Sequence, residues 1–167
     1  DVCTDMKTAE YIVDLTSGFL TPVLLPAVTF ITASIISFST GSSWATMSIL
    51  VPVTVPMSIQ LMGGDGNQVV QDPIFLSTFA GVLSGSVFGD HCSPISDTTV
   101  LSSTASGSDH IDHVRTQLPY AIVCGVVALL AGYIFTGFGI SLIVSLSVGL
   151  VLVIGVLKIF GKPILNE

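Results

Sequence analysis

An all-α transmembrane fold, a polytopic helical bundle, is what this sequence predicts, on three observations. Half of the 167 residues are hydrophobic and only 9% are charged, against about a quarter charged in soluble domains. Mean hydropathy is +0.89. The charges are also clumped, with none between Leu15 and Gly64, none between Pro73 and Gly89, and none between Thr116 and Leu157. A spanning helix takes about 20 mostly apolar residues, so the first and third of these stretches each have room for two passes.

The elements follow in order. Thr8–Phe19 reads as a weakly amphipathic helix that ends near Gly18 and Pro22. Val23–Ser39 and Ala45–Leu61 are apolar arms, with Pro26 in the first and Pro52 and Pro56 in the second. They form a hairpin over residues 23–61 whose turn is Phe38-Ser39-Thr40-Gly41-Ser42-Ser43-Trp44. That turn suits a loop between two full spans or the tip of a re-entrant hairpin, and both return the chain to the same side. Trp44 is either an interfacial anchor or a packing element at the tip. Met62–Asp72 is a glycine-rich polar loop, and residues 73–104 form an apolar helix interrupted by a polar break. Residues 105–117 read as a charged cytoplasmic loop, in which the side chains of Asp109-His110-Ile111-Asp112-His113 are expected to be solvated. Spans 118–138 and 140–157 are joined at Gly137-Phe138-Gly139, with Gly125, Ala128 and Gly132 as close-packing positions.

Charge sets the expected orientation and excludes some functions. Arg115 and the Lys158/Lys162 tail lie at one end of the final hairpin, which the positive-inside rule places in the cytoplasm with the C-terminus. Lys7, on the outer side in this count, runs against it. A formal charge of −7 offers no basic patch for nucleic acid. Cys3, Cys92 and Cys124 are odd in number and lack metal-ligand spacing, so neither a disulfide nor a zinc site is expected. The chain begins at Asp1 without methionine, and it reads as part of a longer polypeptide.

The chemistry concentrates at Gly89-Asp90-His91-Cys92-Ser93-Pro94-Ile95-Ser96-Asp97-Thr98-Thr99. An aspartate at bilayer depth costs about 2.5–3.5 kcal/mol on insertion scales, and this segment has two. Serine before proline suits a helix start. The parsing is a half-helix ending near Gly89, an unwound link, and a second half-helix from Ser93-Pro94. Such broken helices build ion sites from free carbonyls, helix ends and side-chain oxygens. Asp97 falls in the first turn of the second half, where the dipole favours its anion. Asp90 falls at the C-terminal end of the first, where dipole and desolvation both favour protonation. Asp90 is therefore the candidate for exchanging a proton for Na⁺, with Asp97 as a second, ionised Na⁺ ligand. The hydroxyls of Ser93, Ser96, Thr98 and Thr99 suit a hard cation, as do those of Thr40, Ser42 and Ser43 at the hairpin turn. His91 is a candidate pH sensor or a hydrogen-bonded structural histidine. The competing reading of the segment is a solvated loop between two complete spans.

At Phe38–Ala45 (FSTGSSWA), Gly89–Thr99 (GDHCSPISDTT) with Leu101–Thr104, and Asp112–Ala121 (DHVRTQLPYA), the sequence resembles the NhaC-type sodium/proton antiporter family. Thr8–Asp14 and Phe19–Leu25 add weaker similarity. The resemblance implies the C-terminal part of a bacterial inner-membrane secondary transporter, one half of an inverted repeat with a re-entrant hairpin and a broken helix. Elevator-like alternating access and Na⁺/H⁺ exchange are its associated activity. Na⁺ and H⁺ are then the transported or coupling ions, with no other cofactor. The implied partners are membrane lipid and the N-terminal remainder of the same polypeptide, with a homodimer allowed. His91-Cys92 departs from the lysine–methionine pair associated with other members, which bears on pH and substrate dependence. The same family name covers Na⁺- or H⁺-coupled carriers of small organic acids such as malate and lactate, and an amino-acid carrier is the related alternative.

An enzyme is the distant alternative. An intramembrane aspartyl protease needs a carboxylate dyad. Here both aspartates fall in one segment, and Val87 stands where the first glycine of a Gly-x-Gly-Asp motif belongs. A structural subunit without transport would leave the buried hydroxyls and aspartates without purpose.

Overall fold

The computed structural model describes residues 21–63 and 66–161, and these are helices joined by short turns, with no strand among them. The helix read over Thr8–Phe19 and the tail at Lys162 lie outside the described residues. A 3₁₀ turn at Pro22–Leu24 leads into α1, Leu25–Thr40. Gly41 then reverses the chain with φ +67°, a left-handed conformation that glycine adopts without steric cost. Helix α2, Ser43–Met62, returns alongside α1, and its N-cap Ser42 accepts a hydrogen bond from the Ala45 amide at 3.3 Å. It runs unbroken through Pro52 and Pro56, each of which leaves the carbonyl four residues earlier without its helical donor.

The glycine-rich segment after Met62 is not wholly a loop, because a single helical turn, α3, occupies Gly66–Val69. Helix α4, Pro73–Cys92, starts at Asp72, whose carboxylate caps the Ile74 amide at 2.7 Å. Helix α5 spans Asp97–Ser106. Helix α6 begins at His110–Val127, continues as a π-helical stretch over Ala128–Ile134, and closes with Phe135–Gly137. Helix α7 is Leu142–Phe160. By length and composition, four of these helices can cross a membrane: α1 with its 3₁₀ turn, α2, α6 and α7.

The core lies between α1 and α4, which run parallel in intimate contact. Gly81, Gly85 and Gly89 recur every fourth residue of α4 and meet the backbone of α1 directly. A Cβ at Gly81 would lie 2.8 Å from the Pro26 carbonyl oxygen, and one at Gly85 would overlap that of Phe30. Close backbone approach of this kind is what small-residue stripes permit. Two hydroxyls bridge the pair: Thr29 Oγ1 donates to the Thr78 carbonyl at 3.3 Å, and Ser37 Oγ to the Ser86 carbonyl at 2.5 Å.

Helix α6 packs antiparallel on α4. Phe88 fills the space over Gly125, where a Cβ would lie 2.6 Å from the ring. In the π-helical stretch Tyr133 stacks on Phe30 with centroids 4.9 Å apart, and its hydroxyl pairs with that of Ser84. Of the three expected close-packing positions, Gly125 is one. Gly132 has nothing within 4 Å of a built Cβ and Ala128 is exposed; the close approach falls instead at Gly137, against the Val23 carbonyl. Between α4, α6 and α7 runs an apolar groove of about 980 Å³, lined in part by Ala80, Ala131, Gly149 and Leu150.

Candidate functional site

The hairpin turn and the break in residues 73–104 come together at one end of the α1–α4 pair. Helix α4 continues three residues beyond Gly89, through Asp90, His91 and Cys92. Its end is set by proline, which pushes the preceding residue out of the helical region. Ser93 is accordingly extended, with φ −77° and ψ 128°. The link is Ser93–Ser96, and the second half-helix starts at Asp97 with Ser96, not Ser93, at its N-cap position. The Ser93 hydroxyl has another partner: it donates to the Phe38 carbonyl at 2.8 Å. On the opposite side of the turn, a Cβ at Gly41 would lie 2.9 Å from the Ile95 carbonyl oxygen. Turn and link are thus clamped by the Ser93 hydroxyl on one side and by close backbone approach at Gly41 on the other.

Asp90 sits inside this clamp and is 8% exposed. Its Oδ2 accepts a hydrogen bond from Ser43 Oγ, at the start of α2, across 3.2 Å. Its Oδ1 is fully buried and has no hydrogen-bond partner among the described residues. Leaving a buried oxygen of an ionised carboxylate without a donor is costly. Gly89, directly before it, packs against Ser34, Ser37 and Phe38 of α1, which fixes where the carboxylate emerges.

The other sequence-predicted residues distribute unevenly. Ser93 and Ser96 are fully buried and Thr99 nearly so, whereas Thr40, Asp97 and Thr98 are exposed. Ser96 Oγ and Thr98 Oγ1 pair with each other at 2.7 Å. Ser42 is spent on capping α2. Asp97 does not join Asp90; its side chain lines a shallow pocket on the outer face of α5 with Thr98, Val100, Leu101 and Thr104. His91 is exposed, and it is its backbone carbonyl that is held, by Gln117 Nε2 at 2.5 Å. Trp44 is 80% exposed, which removes it as a packing element of the turn. Among the described residues no three His, Cys, Asp or Glu side chains converge on a metal-sized site, so any cation here would rest on Asp90, hydroxyls and carbonyls.

The segment read as a charged loop is where the sequence reading departs furthest. Only Gly107–Asp109 separates α5 from α6, and Asp109 caps α6 by accepting from the Ile111 and Asp112 amides at 2.9 and 3.0 Å. His110 and His113 are half-buried and hydrogen-bonded rather than standing free in solvent. Both imidazoles converge on the hydroxyl of Ser103, at 3.2 and 2.7 Å from their Nδ1 atoms, and His110 Nε2 meets the Pro94 carbonyl of the link at 2.7 Å. The i, i+3 spacing of the two histidines puts them on one helix face, which was the available signal. Their partner is reached only by the turn between α5 and α6.

Among curated proteins, the chain is 34% identical to the arginine/ornithine antiporter ArcD of Halobacterium salinarum, over 75% of this chain and 24% of that protein. It is 33% identical to the malate-2H⁺/Na⁺-lactate antiporter of Bacillus subtilis, over 74% of this chain and 25% of that protein. To the Na⁺/H⁺ antiporter NhaC of Alkalihalophilus pseudofirmus it is 29% identical, over 69% of this chain and 24% of that protein. The chain therefore spans about a quarter of the length of the curated relatives it matches. No solved structure matches it. The model of the Na⁺/H⁺ antiporter family matches over residues 1–138, which takes in the hairpin, the clamp around Asp90 and the whole of α6. An integral membrane protein with this match belongs to the Na⁺/H⁺ antiporter family.

Proposed function

We propose that the complete protein is a secondary antiporter that exchanges Na⁺ for H⁺, with Asp90 as the carboxylate for which the two ions compete. The carrying observation is the half-satisfied carboxylate: Oδ2 is held by Ser43, while buried Oδ1 has no partner. A proton on the carboxyl group removes the buried charge, and so does a sodium ion bound to the carboxylate. Each excludes the other, so binding Na⁺ releases H⁺ and binding H⁺ releases Na⁺. Hard cations take oxygen ligands; among the hydroxyls named above, that of Ser43 reaches Asp90, while those of Ser42, Ser93, Ser96 and Thr98 have hydrogen-bond partners of their own. Asp97, exposed at the start of α5, adds a fixed negative charge toward the remainder of the polypeptide, which supplies the rest of the site. Membership of the Na⁺/H⁺ antiporter family supports the choice of ions.

A second reading is Na⁺- or H⁺-coupled exchange of a small organic acid or an amino acid. The similarity to relatives named for arginine/ornithine and malate/lactate exchange favours it. We place the protein in a bacterial inner membrane with its C-terminus in the cytoplasm. In support, Arg115 and Lys158 lie at the same end of the antiparallel α6–α7 pair.

The test uses the full-length transporter in proteoliposomes, recording proton movement on addition of Na⁺, Li⁺, K⁺, malate, lactate or arginine. Wild type should respond to Na⁺, and Asp90→Asn should abolish that response. Sodium-driven proton movement that survives in Asp90→Asn refutes the role of Asp90. A response to one of the organic solutes with none to Na⁺ replaces the first reading by the second.

A further inference from the structure

We infer that His110 is a positioning residue for the proposed ion site, holding the unwound link through a hydrogen-bond set that is complete only when its imidazole is positively charged. The importance of the link rests on the reading of Asp90 above; how the link is held rests on separate geometry. Three contacts converge on one hydroxyl. Ser103, 2% exposed, lies with its Oγ 2.8 Å from the Thr99 carbonyl, 2.7 Å from His113 Nδ1 and 3.2 Å from His110 Nδ1. On the far side of the ring, His110 Nε2 lies 2.7 Å from the Pro94 carbonyl.

Counting protons decides the charge. A serine hydroxyl has one proton to donate and two lone pairs to accept with, and a carbonyl only accepts. Pro94 therefore requires a proton on His110 Nε2, and Thr99 requires the Ser103 proton. Both Nδ1 atoms must then donate to the Ser103 oxygen. His113 can do this as a neutral tautomer. His110, with protons on both nitrogens, can do it only as imidazolium. When His110 is neutral one bond of the set is lost: Ser103 turns its proton to His110 and leaves Thr99, or two lone pairs face each other across the gap.

The charged and titratable groups around the set come from every element that meets there. Helix α6 contributes His113, Asp109, Asp112 and Arg115. Helix α5 contributes Asp97, and α4 contributes His91. The Asp109 carboxylate is engaged by two backbone amides, while the side chains of Asp112, Arg115, Asp97 and His91 are exposed. The link has two fastenings. Ser93 ties it to the hairpin turn, and Pro94 ties it to α5 and α6 through His110. The first involves no titratable group; in the second the Nε2–Pro94 bond persists in the neutral ring but loses its charge assistance, and the Ser103 set behind it loses one bond.

The test is amide-exchange protection of residues 93–97 in the full-length transporter in nanodiscs, corrected for intrinsic exchange. It is read at about pH 5 and about pH 8, which bracket histidine titration, beside the pH profile of transport. Wild type should show protection about tenfold higher at the acid value, the equivalent of one charge-assisted hydrogen bond. His110→Gln should equalise the two values and remove the matching step from the transport profile. His113→Gln should keep the difference, because His113 does not touch the link. Equal protection in wild type overturns the inference, as does a difference that survives His110→Gln or one abolished equally by His113→Gln. Protection is read without reference to the transported species. A transporter that ignores Na⁺, or tolerates Asp90→Asn, would refute the proposed function and leave this result standing.

Discussion

Replacing Gly89 by alanine should loosen the clamp that positions Asp90, at a cost that follows from its neighbours. The new Cβ would overlap the Ser34 carbonyl oxygen and lie 2.8 Å from both Phe38 N and Ser37 Cβ. Two of these three atoms are backbone, so no flexible side chain can swing aside, and α1 must back away from α4. That movement acts on the Ser37–Ser86 and Ser93–Phe38 hydrogen bonds, at 2.5 and 2.8 Å. Overpacking costs about 1–3 kcal/mol and each weakened hydrogen bond about 1 kcal/mol. The better helix propensity of alanine returns about 1 kcal/mol, which leaves a net loss of about 2–4 kcal/mol. Gly132→Ala is the matched control, since nothing lies within 4 Å of its Cβ; it should be neutral or gain up to about 1 kcal/mol. Thermal unfolding of the full-length protein in detergent, read beside transport rate, compares the two. If Gly89→Ala unfolds at the same temperature as Gly132→Ala and transports normally, the backbone clamp is not what holds the site.

Two further substitutions separate the roles around Asp90. Ser43→Ala removes the donor to Oδ2; hydrogen bonds to charged groups are worth about 1.5–3 kcal/mol, so the half-saturating Na⁺ concentration should rise by about tenfold or more in initial-rate measurements. An unchanged value would remove Ser43 from the site. Asp97→Asn deletes an exposed charge, for which an effect below about fivefold in the same measurement is expected, with the proton dependence retained. Loss of exchange as complete as in Asp90→Asn would mean that the two carboxylates act as equals.

The sequence carried the break at Gly89–Thr99 because two aspartates and a Ser-Pro pair crowd into one short segment after an apolar run, a combination that marks a helix end more strongly than an isolated proline does. It placed the end of the first half three residues early, at Gly89, because a glycine inside a helix reads as a stop. In the folded chain Gly89 is there for close packing, and the stop comes from the pre-proline restriction on Ser93. Gly41 as the hairpin turn was equally legible, since the run of hydroxyls and glycine between two apolar arms has few other uses. The parallel pairing of α1 with α4 was not. The small residues of α4 announce a close contact, but nothing local says with which helix. Gly125 and Gly132 make the same point: identical residues on one helix, and only the position of Phe88 distinguishes the packed one from the open one. The histidines were misread for a related reason. In sequence, Asp109–His113 is a polar cluster, and polar clusters beside a membrane are usually solvated. That Ser103 lies opposite depends on the tight turn at Gly107, which folds α5 back on the start of α6.

The clamp also bears on how coupling could work. If two ions are to compete for one carboxylate, its oxygens must stay in place whichever ion is bound; a mobile aspartate could follow its ligand and bind both in turn without strict exclusion. Here Asp90 is fixed through its backbone by Gly89 against α1 and through Oδ2 by Ser43 of α2. The link that follows is tied to the same hairpin by Ser93. The hairpin and α4 therefore form one body with the carboxylate built into it, and only Oδ1 is left to respond to occupancy. On the proposed exchange, this predicts that conformational change falls between this body and the rest of the polypeptide.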